Sequence, residues 1–317
     1  MISVIMPMFN ESSTIRHSIE TMYKALRVLK DDWELILIDD GSTDNSRELA
    51  LQMMRDYPRF HVFGYEKNKG RGRALREGFA HARGDIIVTT EADSSWGTEL
   101  VISLITGLQN DPDCDVLIAS PNLPGGGYKN VPLVRVLISR IGNAILKAAF
   151  SQELTMTTGM MRGYKAAAIK SLDLESDGKE IHIEILSKVL ALGLVVKEIP
   201  GVIDWSLQQS KKVKRRSTLK IRRTVLSHLL FSFIEAPILL LGATGLGSIA
   251  LGILFGLILI YTRFTSQEDL SRPLINLTIL LIITGTQLLI FCFLAYQNKR
   301  TQNQIVRLQR DIRFSKK

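Results

Sequence analysis

Residues 84–96 read GDIIVTTEADSSW. The apolar, β-branched run Ile86-Ile87-Val88 has the composition of a short buried strand. It delivers two carboxylates, Glu91 and Asp93, with only Ala92 between them. In an extended chain, alternation aims both side chains the same way, so the strand end presents two anionic groups to one point. Like charges that close call for a cation, a proton or a basic side chain. The pattern recurs along the chain: Ile2 to Met6 runs into Asn10-Glu11, and Glu34 to Ile38 runs into Asp39-Asp40-Gly41-Ser42. Asp85 to Thr89, Asp115 to Ala119 and Val195 to Ile199 complete the strand candidates. Helical spacing covers Ser13 to Leu29, Ser46 to Tyr57 and Arg73 to Ala82. This βαβαβ order predicts an α/β domain with a Rossmann-like, mainly parallel sheet, whose ligand lies beyond the carboxyl ends of the strands. After the first strand PMFNESST stands where G-x-G-x-x-G would be, so a conventional dinucleotide site is not indicated.

At 46% apolar residues and mean hydropathy +0.13, the apolar content of the 317-residue chain is high for a wholly soluble protein. The surplus lies in Pro237 to Tyr261 and Leu274 to Gln297, both uncharged and each longer than the roughly 20 residues that cross a bilayer. Gly242, Gly245, Gly247, Gly252 and Gly256 suit close helix packing in lipid. Lys211, Lys212, Lys214, Arg215 and Arg216 precede the first span, and Lys299, Arg300, Arg307 and Arg310 follow the second. The connecting loop sets Arg263 and Arg272 against Glu268 and Asp269. Positive charge on the flanks places the globular domain and both termini in the cytoplasm. The expected organisation is a globular domain over 1–210, a basic juxtamembrane or interfacial helix over 211–236, spans at 237–261 and 274–297, and a basic cytoplasmic tail over 298–317. The tail is either a solvated charged face or a lipid-surface helix. The formal charge of +9 belongs to these flanks, and no nucleic-acid motif accompanies it. Cys114 and Cys292, the only cysteines, exclude a thiolate metal site and argue against a structural disulfide. The opening MISVIMPMFNES lacks a basic n-region and reads as a strand, not a signal peptide.

Glu91 and Asp93 suit a hard divalent ion that keeps phosphate oxygens and waters in its shell, though Asp and Ser also build capped turns. EKNKGRGRALREGF brings Gly70, Gly72, Lys69, Arg71 and Arg73 to a helix start, a setting fit for an anion or for a solvated turn. LVRVLISRIGNAILKAAF, from residue 133, returns to helical spacing and puts Arg135 and Ser139 on one face. His182 lacks metal-ligand company at helical spacing and reads as a packed or surface histidine. Trp96 and Trp205 shape a pocket mouth or pack in the core.

In order, VIMPMFNE, LILIDDGSTDNS, NKGRGRA, TTEADSSW, PGGGYKNVPLVRVLISRIGN and EIHIEIL resemble family 2 glycosyltransferases, most closely the polyprenyl- and dolichyl-phosphate sugar synthases. The resemblance covers residues 2 to about 212. It implies a GT-A fold, a nucleotide-sugar donor, Mg²⁺ or Mn²⁺, and a polyprenyl or dolichyl phosphate acceptor at the face of a lipid bilayer. Pro7, Phe9 and Glu11 match donor-holding positions, and Asp39 and Asp40 match a pair that binds base and ribose. Glu91, Ala92 and Asp93 match the D-x-D motif, with Ser95 where some relatives place a further ligand for the ion. Arg135 and Ser139 match residues that contact the acceptor phosphate, Lys211 matches a lysine of a covering loop, and Arg162 is a further phosphate candidate.

Departures from the pattern are Glu91 for Asp, Pro121 for an arginine, Thr155 for Asp in TMTTGMMRGY, Arg162 displaced by one, and Trp205 for the lid arginine. The resemblance implies inverting transfer of a hexose, with GDP-mannose the leading donor and UDP-sugars next. The phosphate acceptor needs no general base, because its second pKa of about 6 leaves it largely dianionic at neutral pH. A processive polysaccharide synthase is disfavoured by the absence of Q-x-x-R-W and by only two spans. A non-catalytic, membrane-tethered nucleotide-binding scaffold is the rival from another class, motivated by the departures. A homo-oligomer is compatible with the sequence.

Overall fold

A computed structural model describes residues 1–93, 95–137, 139, 143, 154–206, 237–266 and 272–315. The chain forms two compact units, Met1–Leu219 with Gln309–Lys317, and Lys220–Leu308.

In the first unit, β1 (Ile2–Met8), β2 (Trp33–Asp40), β3 (Phe60–Tyr65) and β4 (Ile86–Thr89) are parallel neighbours in the order β3-β2-β1-β4. Val4 pairs with Leu35 on one side and with Val88 on the other, so β1 is the centre from which the sheet winds both ways. The crevice between β1 and β4 is therefore the topological switch point, where open α/β sheets bind ligands. Beyond β4 the sheet continues through β7 (Arg162–Lys165), β5 (Val116–Ser120) and β8 (Val196–Pro200). β7 runs antiparallel to both β4 and β5. A separate parallel pair joins β6 (Gly127–Lys129) to β9 (Val202–Asp204). All five strand candidates of the sequence are present; β3, β6, β7 and β9 were not among them.

The helices cover both faces. α1 (Ile15–Leu26) packs against α2 (Ser46–Met54) and α4 (Thr98–Asn110). Its buried Ile15, Ile19, Met22 and Leu26 recur at helical spacing and make one apolar stripe over the sheet. Leu100, Val101, Leu104, Ile105 and Leu108 do the same on α4. α3 (Arg71–His81) contacts α5 (Ala166–Lys170) and α6 (Ile181–Ala191). It starts two residues before its expected position because Gly70, at φ 105°, turns the chain into it. At the amino-terminal ends of the strands Glu34, buried in β2, accepts bonds from Ser3 Oγ at 2.6 Å and from Arg83 Nε and Nη2 at 2.9 and 2.7 Å. Burial pushes the Glu34 carboxyl up, and these bonds more than reverse it, leaving it below its ordinary value.

In the second unit, α7 (Pro237–Ser266) and α8 (Arg272–Ser315) contain Leu240–Thr265 and Arg272–Asn298, with hydropathies of 2.2 and 2.4, long and apolar enough to cross a membrane. A Cβ on Gly245 would sit 3.0 Å from the Gly285 carbonyl, and one on Gly252 would sit 2.7 Å from Ile282, so glycine sets their close approach. Gly247 faces open space instead. α8 runs unbroken through the basic tail to Ser315.

Candidate active site

β4 stops at Thr89, and Ala92, Asp93, Ser95 and Trp96 lie in a turn just beyond Glu91. The two carboxylates are thus gathered by turn geometry, and not by the strand alternation that the sequence implied. Thr90 N–H still bonds to Ile5 O at 2.9 Å, which keeps the turn tied to β1. Buried Ser18 on α1 donates to the Ala92 carbonyl at 2.7 Å, fixing the residue between the acids. Ser95 closes the turn, its N–H on Asp93 Oδ1 at 3.1 Å and its hydroxyl on Glu91 Oε2 at 2.9 Å. Arg71 Nη2 approaches Glu91 Oε1 at 3.5 Å. Burial raises the Asp93 carboxyl above its ordinary value, and the charges of Glu91 and Glu11 raise it further.

Glu11 comes from the β1–α1 loop, which is stitched to the β2–α2 loop. Glu11 N–H donates to Ser46 Oγ at 2.8 Å, Asn10 N–H to Ser42 Oγ at 3.0 Å, and Thr43 N–H to Asn10 Oδ1 at 2.8 Å. Asn10 accepts a φ of 55° to make that exchange. Pro7 is the penultimate residue of β1, paired with Ile38, and Phe9 follows the strand's last residue, Met8, 41% exposed. The sheet ends therefore bring Pro7, Phe9, Glu11, Asp39, Glu91 and Asp93 to one side of the domain.

The Asp39-Asp40 pair divides. Asp39 Oδ1 accepts the Ser42 N–H at 3.1 Å, while its buried Oδ2 has no partner among the described residues. Asp40 is spent on the protein: Tyr65 Oη at 2.7 Å, Asn68 Nδ2 at 2.9 Å, and the N–H groups of Lys69 and Gly70 at 2.9 and 3.0 Å all donate to its carboxylate. Its expected contact with the donor is corrected to the organisation of the 66–70 loop. The anion site expected at the start of α3 is likewise filled, since Gly72 and Arg73 N–H groups donate to the Asp177 carbonyl at 2.7 and 3.2 Å.

On the other flank, residues 133–137 are helical, and the Arg135 guanidinium stacks over Trp205 at 4.8 Å. Trp205 is held in place by its N–H on Lys129 O at 3.0 Å, continuing the β6–β9 pair. Leu133, Val134 and Leu137 on this helix are exposed. Ser139 is half-buried beside Asn143.

Arg162 overturns its expected role. It is fully buried, and Nε, Nη1 and Nη2 donate to the carbonyls of Gly159, His182 and Thr157 at 2.8, 3.0 and 2.5 Å. It braces the 157–159 segment against α6 and offers no face to an acceptor phosphate. Lys211 lies outside the described residues. Glu198, unnoticed in the sequence, receives the N–H groups of Thr155 and Met156 at 2.9 and 2.8 Å. It supplies from β8 the carboxylate that position 155 lacks. His182 is packed, and both ring nitrogens are buried without partners among the described residues. Burial, with Arg162, Arg71 and Lys179 adding to it, holds its pKa well below the ordinary value, so the ring is neutral.

Among the described residues, no three His, Cys, Asp or Glu groups converge to hold a metal unaided. The Glu91–Asp93 pair, with Asp93 reluctant to ionise alone, instead fits a hard divalent ion that shares its shell with phosphate oxygens.

Known proteins resemble this chain in sequence and in fold. The chain is 26% identical to an undecaprenyl-phosphate 4-deoxy-4-formamido-L-arabinose transferase of Shewanella sediminis, over 90% of this chain and 83% of the relative. It is also 26% identical to a dolichol-phosphate mannosyltransferase of Pyrococcus furiosus, over 71% of this chain and 62% of that protein's length. Glucosyl-3-phosphoglycerate synthase from Mycobacterium tuberculosis, in a crystal structure with UDP, superposes with a TM-score of 0.53 at 22% identity, covering 73% of this chain and 79% of the other; that likeness establishes the fold. The model of glycosyl transferase family 2 matches residues 3–173, more than half of the 317 residues, and the chain belongs to that family of glycosyltransferases.

Proposed function

We propose that this chain is a membrane-anchored, inverting glycosyltransferase that moves one sugar from a nucleoside diphosphate donor to a polyprenyl phosphate. The observation that carries the reading is the Glu91–Asp93 turn at the switch point of the sheet, where burial and like charge make the pair a seat for a divalent ion and a diphosphate. The names of the bacterial and archaeal relatives support a lipid phosphate as the acceptor.

Asp39 accepts an N–H of the donor base, since its buried Oδ2, unpaired among the described residues, demands a donor. Arg135, braced on Trp205, contacts the acceptor phosphate together with Ser139 and Lys211. An oxygen of that phosphate attacks the anomeric carbon opposite the leaving group. The new carbon–oxygen bond forms as the bond to the diphosphate oxygen breaks, inverting the configuration and releasing nucleoside diphosphate. No side chain has to remove a proton, because the acceptor is already dianionic near neutral pH. Rate comes from alignment and charge. Glu91 and Asp93, with Ser95 beside them, would hold Mg²⁺ or Mn²⁺, which when bound offsets the charge developing on the departing diphosphate. α7 and α8 anchor the enzyme, with the catalytic domain and both termini on the cytoplasmic side. GDP-mannose is the leading donor, with UDP-glucose and other UDP-sugars next.

The test is transfer of radiolabelled sugar from a panel of GDP- and UDP-sugars to short polyprenyl phosphate by the purified full chain, with and without Mn²⁺. One donor giving metal-dependent, organic-extractable product is the expected result. Nucleotide binding without turnover of any donor would overturn the reading in favour of a non-catalytic scaffold.

A further inference from the structure

Asn143 lies one helical turn beyond Ser139 and is 5% exposed, so its amide must find partners inside the protein. The two ends of an amide have the same shape, and only a neighbour of fixed polarity decides which way it faces. Thr157 supplies that neighbour. Its main-chain N–H can only donate, and it lies 2.9 Å from Asn143 Oδ1, which the Thr157 hydroxyl also reaches at 2.9 Å. The oxygen end therefore faces Thr157 and the NH₂ end faces the helix. There Nδ2 donates to the Ser139 carbonyl at 2.9 Å and, at longer range, to the Ser139 hydroxyl oxygen at 3.4 Å. Thr157 cannot drift, because Arg162 Nη2 holds its carbonyl and Glu198 holds the two residues before it.

An amide NH₂ accepts no hydrogen bond. In its contact with Asn143 the Ser139 hydroxyl is thus the acceptor, and its own proton points away from Nδ2. We propose that Asn143 is a positioning residue for the acceptor phosphate: it takes up the inner side of the Ser139 hydroxyl so that the serine proton is donated outward to a phosphate oxygen. The inference rests on the reading of Ser139 as an acceptor contact and adds the direction of its hydrogen bond. A phosphate dianion only accepts, so a serine with its proton turned inward would meet it lone pair to lone pair. Asn143→Asp keeps the shape but replaces the NH₂ by an accepting oxygen, which draws the serine proton inward.

Steady-state kinetics of the full chain in detergent, varying polyprenyl phosphate and donor separately, test this with Ser139→Ala, Asn143→Asp, Asn143→Ala and the Ser139→Ala/Asn143→Asp double variant. Unfolding midpoints are read alongside. Ser139→Ala should raise the KM for lipid phosphate about ten- to a hundredfold, the equivalent of one hydrogen bond to a charged group. Asn143→Asp should raise it at least as much, with donor KM unchanged, and should add less when Ser139 is already alanine. Asn143→Ala, the milder change, should raise lipid KM by a smaller factor and keeps the test open if the aspartate variant does not fold. If Ser139→Ala raises lipid KM and neither Asn143 variant does, the inference is overturned while the acceptor reading stands. If Ser139→Ala leaves lipid KM unchanged, the acceptor reading falls and the inference with it. Equal loss towards both substrates, together with a lowered unfolding midpoint, would reduce Asn143 to a structural residue and also overturn the inference.

Discussion

Asp93 gathers more of the site's electrostatics than any other residue, since burial, Glu91 and Glu11 all act against its ionisation. A divalent ion would reverse that balance, so Asp93→Asn should lower transfer by about 10²-fold or more in saturating Mn²⁺ and abolish tight Mn²⁺ binding measured by electron paramagnetic resonance. Unchanged transfer would remove the metal assignment. Glu91→Gln should cost less, because Glu91 is already engaged by Ser95 and Arg71. His182 makes a separate prediction about acid. Its folded pKa lies well below the ordinary 6.5, pushed down by burial and by the cations Arg162, Arg71 and Lys179. The unfolded chain therefore takes up a proton that the folded one refuses, and stability falls as the pH drops below about 6.5. The unfolding midpoint should fall less between pH 7 and 5.5 in His182→Leu than in the unaltered protein, and equal slopes would refute the linkage. Residue type and spacing at the end of an apolar run made Glu91 and Asp93 legible as candidates in the sequence. They could not separate Asp39 from its neighbour Asp40, whose partners Tyr65 and Asn68 come from a different strand and loop.

Among the elements, the buried parallel strands were legible because they are apolar on both faces. β7 was not, since RGYK is short and polar and owes its place to Arg162 finding three carbonyls in the core. Arg162→Met should lower stability by about 3 kcal/mol or more, since it takes a donor from three buried carbonyls at about 1–3 kcal/mol each, and show as a lower midpoint and yield. A normal midpoint with only a raised lipid KM would return Arg162 to the phosphate. The β6–β9 pair was equally hidden, with three residues in each strand. It carries Trp205 to Arg135, a contact that the sequence left undecided between pocket mouth and core. Loss of that stacking in Trp205→Ala should raise lipid KM about three- to tenfold, with Trp205→Phe retaining part of it. No change in Trp205→Ala would mean that Arg135 is held by other groups.

For the whole molecule, hydropathy and charge placed two long apolar helices after an α/β domain, and the structure has both. The apolar spans, Leu240–Thr265 and Arg272–Asn298, lie within a few residues of the expected limits, while the second helix itself runs on well past its apolar stretch to Ser315. A protease-accessible tag between α7 and α8 should be found on the side of the membrane opposite the termini; finding it with them would contradict the topology. The central claim is that a lipid phosphomonoester becomes a phosphodiester as the sugar leaves its nucleotide. Phosphorus NMR of the full chain with short polyprenyl phosphate, nucleotide sugar and Mg²⁺ measures this directly. The account predicts loss of the monoester signal, a new diester signal and an equal amount of nucleoside diphosphate. An unchanged monoester while nucleoside diphosphate accumulates would contradict it.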